Sequence, residues 1–320
     1  MLLEPRTLRQ NAADSLARAE KPGRIILIHT AVTLLLSLLL SIADHLLNRQ
    51  IGATGGLGGM GTRSILTTVQ SLLRLAQVVL LPFWQVGYTY YVLKVAKAQP
   101  AGTSDLYEGF RRFGPVLRLK AFMVILMIPL SIVSAYAGII LFLATPWAAP
   151  MMQAMNTLIT DAVDEETVIN ALMPLVLDQI VPIMSLFCLC FLVGAFFLFF
   201  RFRFAELWLM DHPQGGALAA LVNSHKMMKG NWKAMLRIDL GFWWFYLLEL
   251  LVTALAFGDI ALGMMGIEMT TDAFGSYLIF FGLYLCGQLA LYWWKRNYVS
   301  ATYAQTYLTL CPQEEPATMV

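Results

Sequence analysis

Apolar residues run in long blocks along this chain, separated by short stretches where charge, proline and glycine collect. Six blocks are long enough to cross ~30 Å of hydrocarbon as helices. They lie near residues 25–47, 65–95, 121–145, 180–202, 234–257 and 277–294. The second is long for one crossing and is expected to tilt or to extend past the interface. The pattern predicts an all-α membrane protein: an amphipathic N-terminal segment over 1–24, a six-helix transmembrane domain over 25–311 with an outer loop at 146–179, and a short tail over 312–320. The first block resembles a signal peptide, with Ser41-Ile42-Ala43 in the place of a cleavage site. Its apolar core exceeds the ~7–15 residues of a signal, so an uncleaved first helix is expected.

Composition strengthens the membrane reading. Of 320 residues, 58% are hydrophobic and only 13% charged, about half the charge of an ordinary soluble domain. The mean hydropathy is +0.66. The four cysteines, Cys188, Cys190, Cys286 and Cys311, follow neither a disulfide framework nor zinc-ligand spacing. Neither a cofactor nor a metal is expected. A net charge of +2 is too small to suggest nucleic acid.

The placement of charge gives the orientation. Lys and Arg cluster in the tail before residue 25, between residues 94 and 120, between 201 and 237, and at Lys295 and Arg296, making 19 of the 22 basic residues. The alternate connections hold only Arg49 and Arg63, and Arg74 lies within the second block. Those connections are acidic instead: Asp161, Asp164, Glu165, Glu166 and Asp178 in one, Asp259, Glu268 and Asp272 in another. Cations stay on the cytoplasmic side during insertion, so both termini are expected in the cytoplasm of a plasma membrane. Aromatic residues mark the same boundaries, at Tyr88, Tyr90, Tyr91, Trp208, Trp243, Trp244, Tyr292, Trp293 and Trp294.

Three of the basic segments share a layout of short amphipathic helix, glycine, cation and apolar block, with glycines at Gly23, Gly114 and Gly230. In the first, Leu8, Ala12, Leu16 and Ala19 recur at helical spacing. Such a helix fits the headgroup layer with its apolar side down, and glycine ends it in a left-handed conformation. Three repeated units of interfacial helix plus membrane hairpin would follow. Positive-inside sorting and helix capping alone also produce this pattern.

The third segment carries a resemblance. Ser224, then Met228-Lys229-Gly230-Asn231, then an apolar run containing Trp243, resembles the bacterial integral membrane proteins grouped as domain of unknown function 975. Gly87 to Tyr91, Asp105 to Phe110 and Tyr298 to Tyr307 also fit that pattern. The resemblance implies a bacterial multi-pass membrane protein and supplies no biochemical activity.

Polar groups within the apolar blocks are the candidate chemistry. Arg63, Thr67, Gln70, Arg74 and Gln77 fall on one helix face. Arg74 lies about 14 Å from the outer end of its block, and Glu249, in an unbroken fifth block, about 12 Å from the outer end of its own. The matching depths predict an Arg74–Glu249 ion pair, with Gln70, Gln77 or Gln288 adding hydrogen bonds. Such a pair is either a structural lock or a substrate, ion or proton site. His29 is expected to be a hydrogen-bonded packing residue, Asp44 and His45 to be wetted, and Asp239 to be solvated beside Arg237. Asp211 and His212 sit in a turn with Pro213, Gly215 and Gly216, where turn chemistry suffices.

The run Gly56-Leu-Gly-Gly-Met-Gly61 matches a dinucleotide fingerprint only formally, because it lies between membrane helices and follows no strand. Neither hydrolase, metalloprotease nor P-loop signatures occur. The best expectation is a non-enzymatic membrane module that organises anionic lipids or a partner membrane protein through its basic helices. A small-molecule or ion transporter is the alternative, and a lipid-active enzyme a third.

Overall fold

Proline and glycine divide the sequence into helices of very different length. The computed structural model describes residues 4–53, 60–160, 165–258 and 273–311, and among them there is no strand. The order is α1 (Pro5–Arg18), α2 (Pro22–Ala53), α3 (Met60–Ala96), a 3-10 turn (Thr103–Tyr107), α4 (Glu108–Arg111), α5 (Phe113–Leu143), a 3-10 turn (Pro146–Ala148), α6 (Ala149–Thr160) and α7 (Glu165–Arg201). Then follow α8 (Ala205–Asp211), α9 (Gly216–Met228), α10 (Trp232–Leu240), α11 (Trp243–Leu255), α12 (Ala273–Leu291), a π-helical turn (Tyr292–Arg296) and α13 (Asn297–Leu310). Prolines open α1 and α2, where the missing N–H is no loss. Pro82, Pro129, Pro174 and Pro182 lie inside long helices.

Among the described residues, four helical stretches are long and apolar enough to cross a membrane: Pro22–Asp44, Thr62–Ala96, Phe113–Leu143 and Gln179–Asp211. A fifth is added if α10 and α11, bent by 64°, form one span. The fifth block is therefore not the straight helix its hydropathy suggests. The chain breaks at Gly241 and Phe242, where the Phe242 N–H bonds back to the Asp239 carbonyl at 2.8 Å. Arg9 of α1 stacks over the Phe242 ring at 4.7 Å. A Cβ on Gly241 would overlap the Arg9 guanidinium, at 1.4 Å from Nη2. The stretch 146–179, expected to be a loop, is helical over its described part, in α6 and the start of α7. Of the expected outer acidic groups, Asp161, Asp164, Asp259, Glu268 and Asp272 lie outside the described residues. So do positions 56–59 of the glycine run, whose Met60 and Gly61 open α3.

Two compact units divide the chain: Met1–Val116 with Phe204–Val320, and Leu117–Arg203. In the first unit the buried side chains concentrate at the start of α2 (Ile25, Ile26), the second half of α3 (Phe83, Tyr88, Tyr91, Leu93), α8, α9 and α13. The rest of α2 and α3 is largely exposed, at Leu35, Leu39, Leu72 and Val78 for example. That suits lipid-facing helices joined to a packed end. The buried face of α1 is Leu8, Ala12 and Ser15, and α1 packs against α13 and α3. Its apolar stripe is thus covered by protein, where the sequence suggested headgroups.

Close approach of backbones locks this end. A Cβ on Gly87 would meet the Leu106 carbonyl oxygen at 1.8 Å, and one on Gly109 the Phe83 oxygen at 2.0 Å. Only glycine permits the 3-10 turn and α4 to lie this near α3. Asp105 fixes the turn by accepting from the Gly102 N–H at 2.8 Å and from Lys94 Nζ at 3.0 Å. Of the three glycines expected to end helices, only Gly230 is left-handed, at φ 87°. Gly23 and Gly114 lie inside α2 and α5, and Lys21, at φ 49°, makes the turn before α2.

In the second unit α5 and α7 run antiparallel. A Cβ on Gly138 would stand 3.0 Å from the Phe187 backbone, and one on Gly194 would stand 2.3 Å from Leu130 Cδ1. Most other large side chains there, Ile125, Ile128, Val133, Leu192 and Phe197 among them, are exposed.

Candidate functional site

The polar residues singled out in the apolar blocks form two separate groups, and the expected Arg74–Glu249 pair is not one of them. Asp44 of α2 takes Arg74 as a bidentate partner, with Nε to Oδ1 at 2.8 Å and Nη2 to Oδ2 at 3.0 Å. Gln70, one turn away, donates to Asp44 Oδ1 at 2.8 Å. The polar stripe on α3 therefore finds its partner on the adjacent antiparallel helix. Asp44 is an ion-pair acceptor, where the sequence suggested a wetted end. Gln77 lies half-buried on the same helix as Gln70 and Arg74.

Glu249 sits elsewhere. Its Oε1 accepts from the Tyr292 hydroxyl at 2.8 Å and lies 3.4 Å from Arg296 Nη1. Equal depth does not make two helices neighbours: α3 packs on α2, whereas α11 packs on α12, and Glu249, at the middle of α11, lies about 9 Å from either end of it. Arg74 lies toward the opposite end of α3 from Tyr88, and Tyr88 is held by α13 through Asn297 Oδ1 at 2.8 Å. The fourteen residues between Arg74 and Tyr88 span about 21 Å along that helix. The π turn brings Tyr292 and Arg296 to the same carboxylate, with the Arg296 guanidinium 4.9 Å above the Tyr292 ring. Gln288 belongs to this group, donating to Thr253 Oγ1 at 3.3 Å, and Thr253 in turn donates to the Glu249 carbonyl. Gln288 Oε1 is buried without a partner.

A tyrosine chain lies beside this group. Tyr303 donates to Asp239 Oδ1 at 2.6 Å, so the hydroxyl of Tyr246, in contact with that of Tyr303, is the donor to it. Asp239 is bonded into the fold, where solvation was expected. His29, 3% exposed, is stacked between Trp84 and Tyr88, and neither ring nitrogen has a partner. It packs as expected, without the expected hydrogen bond.

The turn between α9 and α10 forms a third feature. Ser224 is buried, and its Oγ accepts the Phe204 N–H, next to the start of α8, at 3.1 Å. Met228 is buried, Lys229 caps α9, Gly230 reverses the chain, and Asn231 Nδ2 donates to the Met227 carbonyl at 2.8 Å. This geometry leaves Lys226, Lys229, Lys233 and Arg237 exposed around the turn. Trp232 is exposed among them, with Lys233 Nζ 5.5 Å from its ring. Cations around an exposed indole suit the interface between water and anionic headgroups. The sequence marked the turn; that all four cations and Trp232 are exposed there emerges only from the fold.

Polar bonds join the four cation-bearing segments. Gln305 of α13 donates to Ser15 Oγ of α1 and to the Ala96 carbonyl of α3. Arg112 donates to the Met210 carbonyl of α8 at 2.8 Å, and Lys97 is ion-paired with Asp211. No protein-family model, no curated protein and no solved structure matches the chain.

Proposed function

We propose that the chain is a multi-pass protein of a bacterial plasma membrane, with about six crossings and both termini in the cytoplasm. It serves there as a non-enzymatic module that gathers anionic lipids, or a partner membrane protein, at its basic end. The observation that carries this reading is the α9–α10 turn and its flanks, where Lys226, Lys229, Lys233 and Arg237 are exposed and Lys233 lies 5.5 Å from the exposed Trp232 ring. Mutual packing of α1, α3, α8 and α13 supports a common side for the cation-rich segments. At 19 residues, α12 would add a crossing of about 28 Å. The resemblance to domain of unknown function 975 is kept as part of the proposal.

The test is lipid retention. Protein purified from mixed membranes should carry anionic phospholipid in excess of its share. A triple variant, Lys226→Glu, Lys229→Glu and Lys233→Glu, should lose most of that excess, and raised salt should imitate the variant. Equal retention by the variant refutes the reading.

A transporter is the second reading, favoured by the unpartnered His29 ring nitrogens and Gln288 Oε1. Glu249→Gln would then abolish solute flux into proteoliposomes. Under the first reading it affects stability alone.

A further inference from the structure

We propose that Asp211, His212 and Cys311 form a binding site for a soft divalent metal ion of the zinc class. The sequence gives no hint of such a group, because Cys311 is a hundred residues from the other two. Folding brings one ligand atom of each to within 4.8 Å of the others. Carboxylate oxygen, imidazole nitrogen and thiolate are a zinc donor set, and three protein ligands leave a fourth position for water. Tetrahedral ligands stand ~3.5 Å apart at zinc–ligand lengths, so small side-chain rotations close the site.

Three features prepare the site for a cation. His212 caps the C-terminal end of α8 and Cys311 that of α13, so both ligands stand at helix ends, where the backbone carries negative partial charge. His212 Nδ1 lies 3.4 Å from the Trp208 carbonyl, and the ring stacks on the Trp208 indole at 4.7 Å. An Nδ1–H pointed at a carbonyl leaves Nε2 with a free lone pair, the usual arrangement for a metal-bound histidine. Asp211 Oδ2 accepts from the Tyr307 hydroxyl at 3.0 Å, which orients the carboxylate.

Lys97 competes for this carboxylate through its ion pair with Oδ1. A divalent ion bound beside Oδ2 meets the ammonium charge, so Lys97 weakens the site without supplying a ligand. Binding converts the Cys311 thiol to thiolate and releases its proton to solvent. Occupancy would tie the end of α13 to the turn after α8. The site shares no residue with the α9–α10 turn, and its existence does not depend on the function proposed above.

The test uses full-length protein in detergent, stripped with a chelator and titrated with Co2+ alone, then with Zn2+ in competition. A cobalt–thiolate charge-transfer band should rise to one equivalent and be bleached by Zn2+. Cys311→Ser should abolish the band, and His212→Ala should weaken binding at least ~10-fold. Lys97→Met should tighten it, a change that a purely structural role for these residues does not predict. Cys188→Ser and Cys286→Ser should leave it unchanged. Absence of the band in the wild-type protein overturns the proposal. So does a band that persists in Cys311→Ser, or affinity unmoved by both His212→Ala and Lys97→Met.

Discussion

Asp44 governs Arg74. With the carboxylate replaced in Asp44→Asn, the guanidinium keeps neutral hydrogen bonds but no counter-charge, and Gln70 loses an ionised acceptor. The expected result is a lower melting temperature in detergent. Asp44→Leu with Arg74→Leu together should recover most of it, since an ion pair replaced by apolar residues is often neutral. A double variant no better than the single one contradicts a pairing role. Ser224→Ala makes a separate claim, because it leaves the buried Phe204 N–H without its acceptor. The expected loss is about 1–3 kcal/mol, read from denaturation midpoints. At this scale the sequence was partly legible. Spacing put Gln70 and Arg74 on one face, and they share one carboxylate. It paired Arg74 with Glu249 because depth within a block does not say which helices are neighbours, and α3 packs on α2 while α11 packs on α12. The break at Gly241 lies against Arg9, more than two hundred residues away in the chain, a contact that no local pattern records.

Among the elements, α1 and the 3-10 turn before α4 most reward a physical account. Periodicity identified α1 and its stripe correctly. It could not say whether lipid or protein covers the stripe, since both are apolar surfaces. In the fold Leu8 and Ala12 are buried by α13 and α3. Leu8→Asp should therefore destabilise the folded unit, seen as a lowered melting temperature and faster proteolysis. Loss of membrane attachment with unchanged melting would instead favour an interfacial helix. Gly109→Ala tests the close approach to α3. Its Cβ meets backbone, which has little freedom to move, so a loss of about 1–3 kcal/mol is expected. Glycine capping succeeded at Gly230 and failed at Gly23 and Gly114. At those two positions the glycine falls in the first turn of the following helix, which opens one residue earlier at Pro22 and Phe113.

At the scale of the whole molecule, each of the two units has its own interior. The long apolar helices were the most legible feature, because hydrophobic length alone specifies them. Only 6–22% of the apolar windows in the four single-helix spans is buried. The packed end of the first unit was much less legible. It is assembled from 3-10 turns, short helices and long-range polar bonds such as Gln305 to Ser15, which have no periodic signature. The proposed topology predicts that single cysteines placed at 226 and 233 react only from the cytoplasmic side, and cysteines at 161 and 166 only from outside. Labelling of both pairs from the same side would rule out the alternation of charge as a guide to this chain.

The uneven burial within the first unit has a consequence for its endurance. Cohesion there is lodged around α13, beyond the apolar blocks, so a change of acyl-chain length in the surrounding bilayer acts on the least interlocked atoms. Heat resistance should then vary little between thin and thick membranes. Urea, working from the aqueous phase, should meet the most tenacious part of the molecule first.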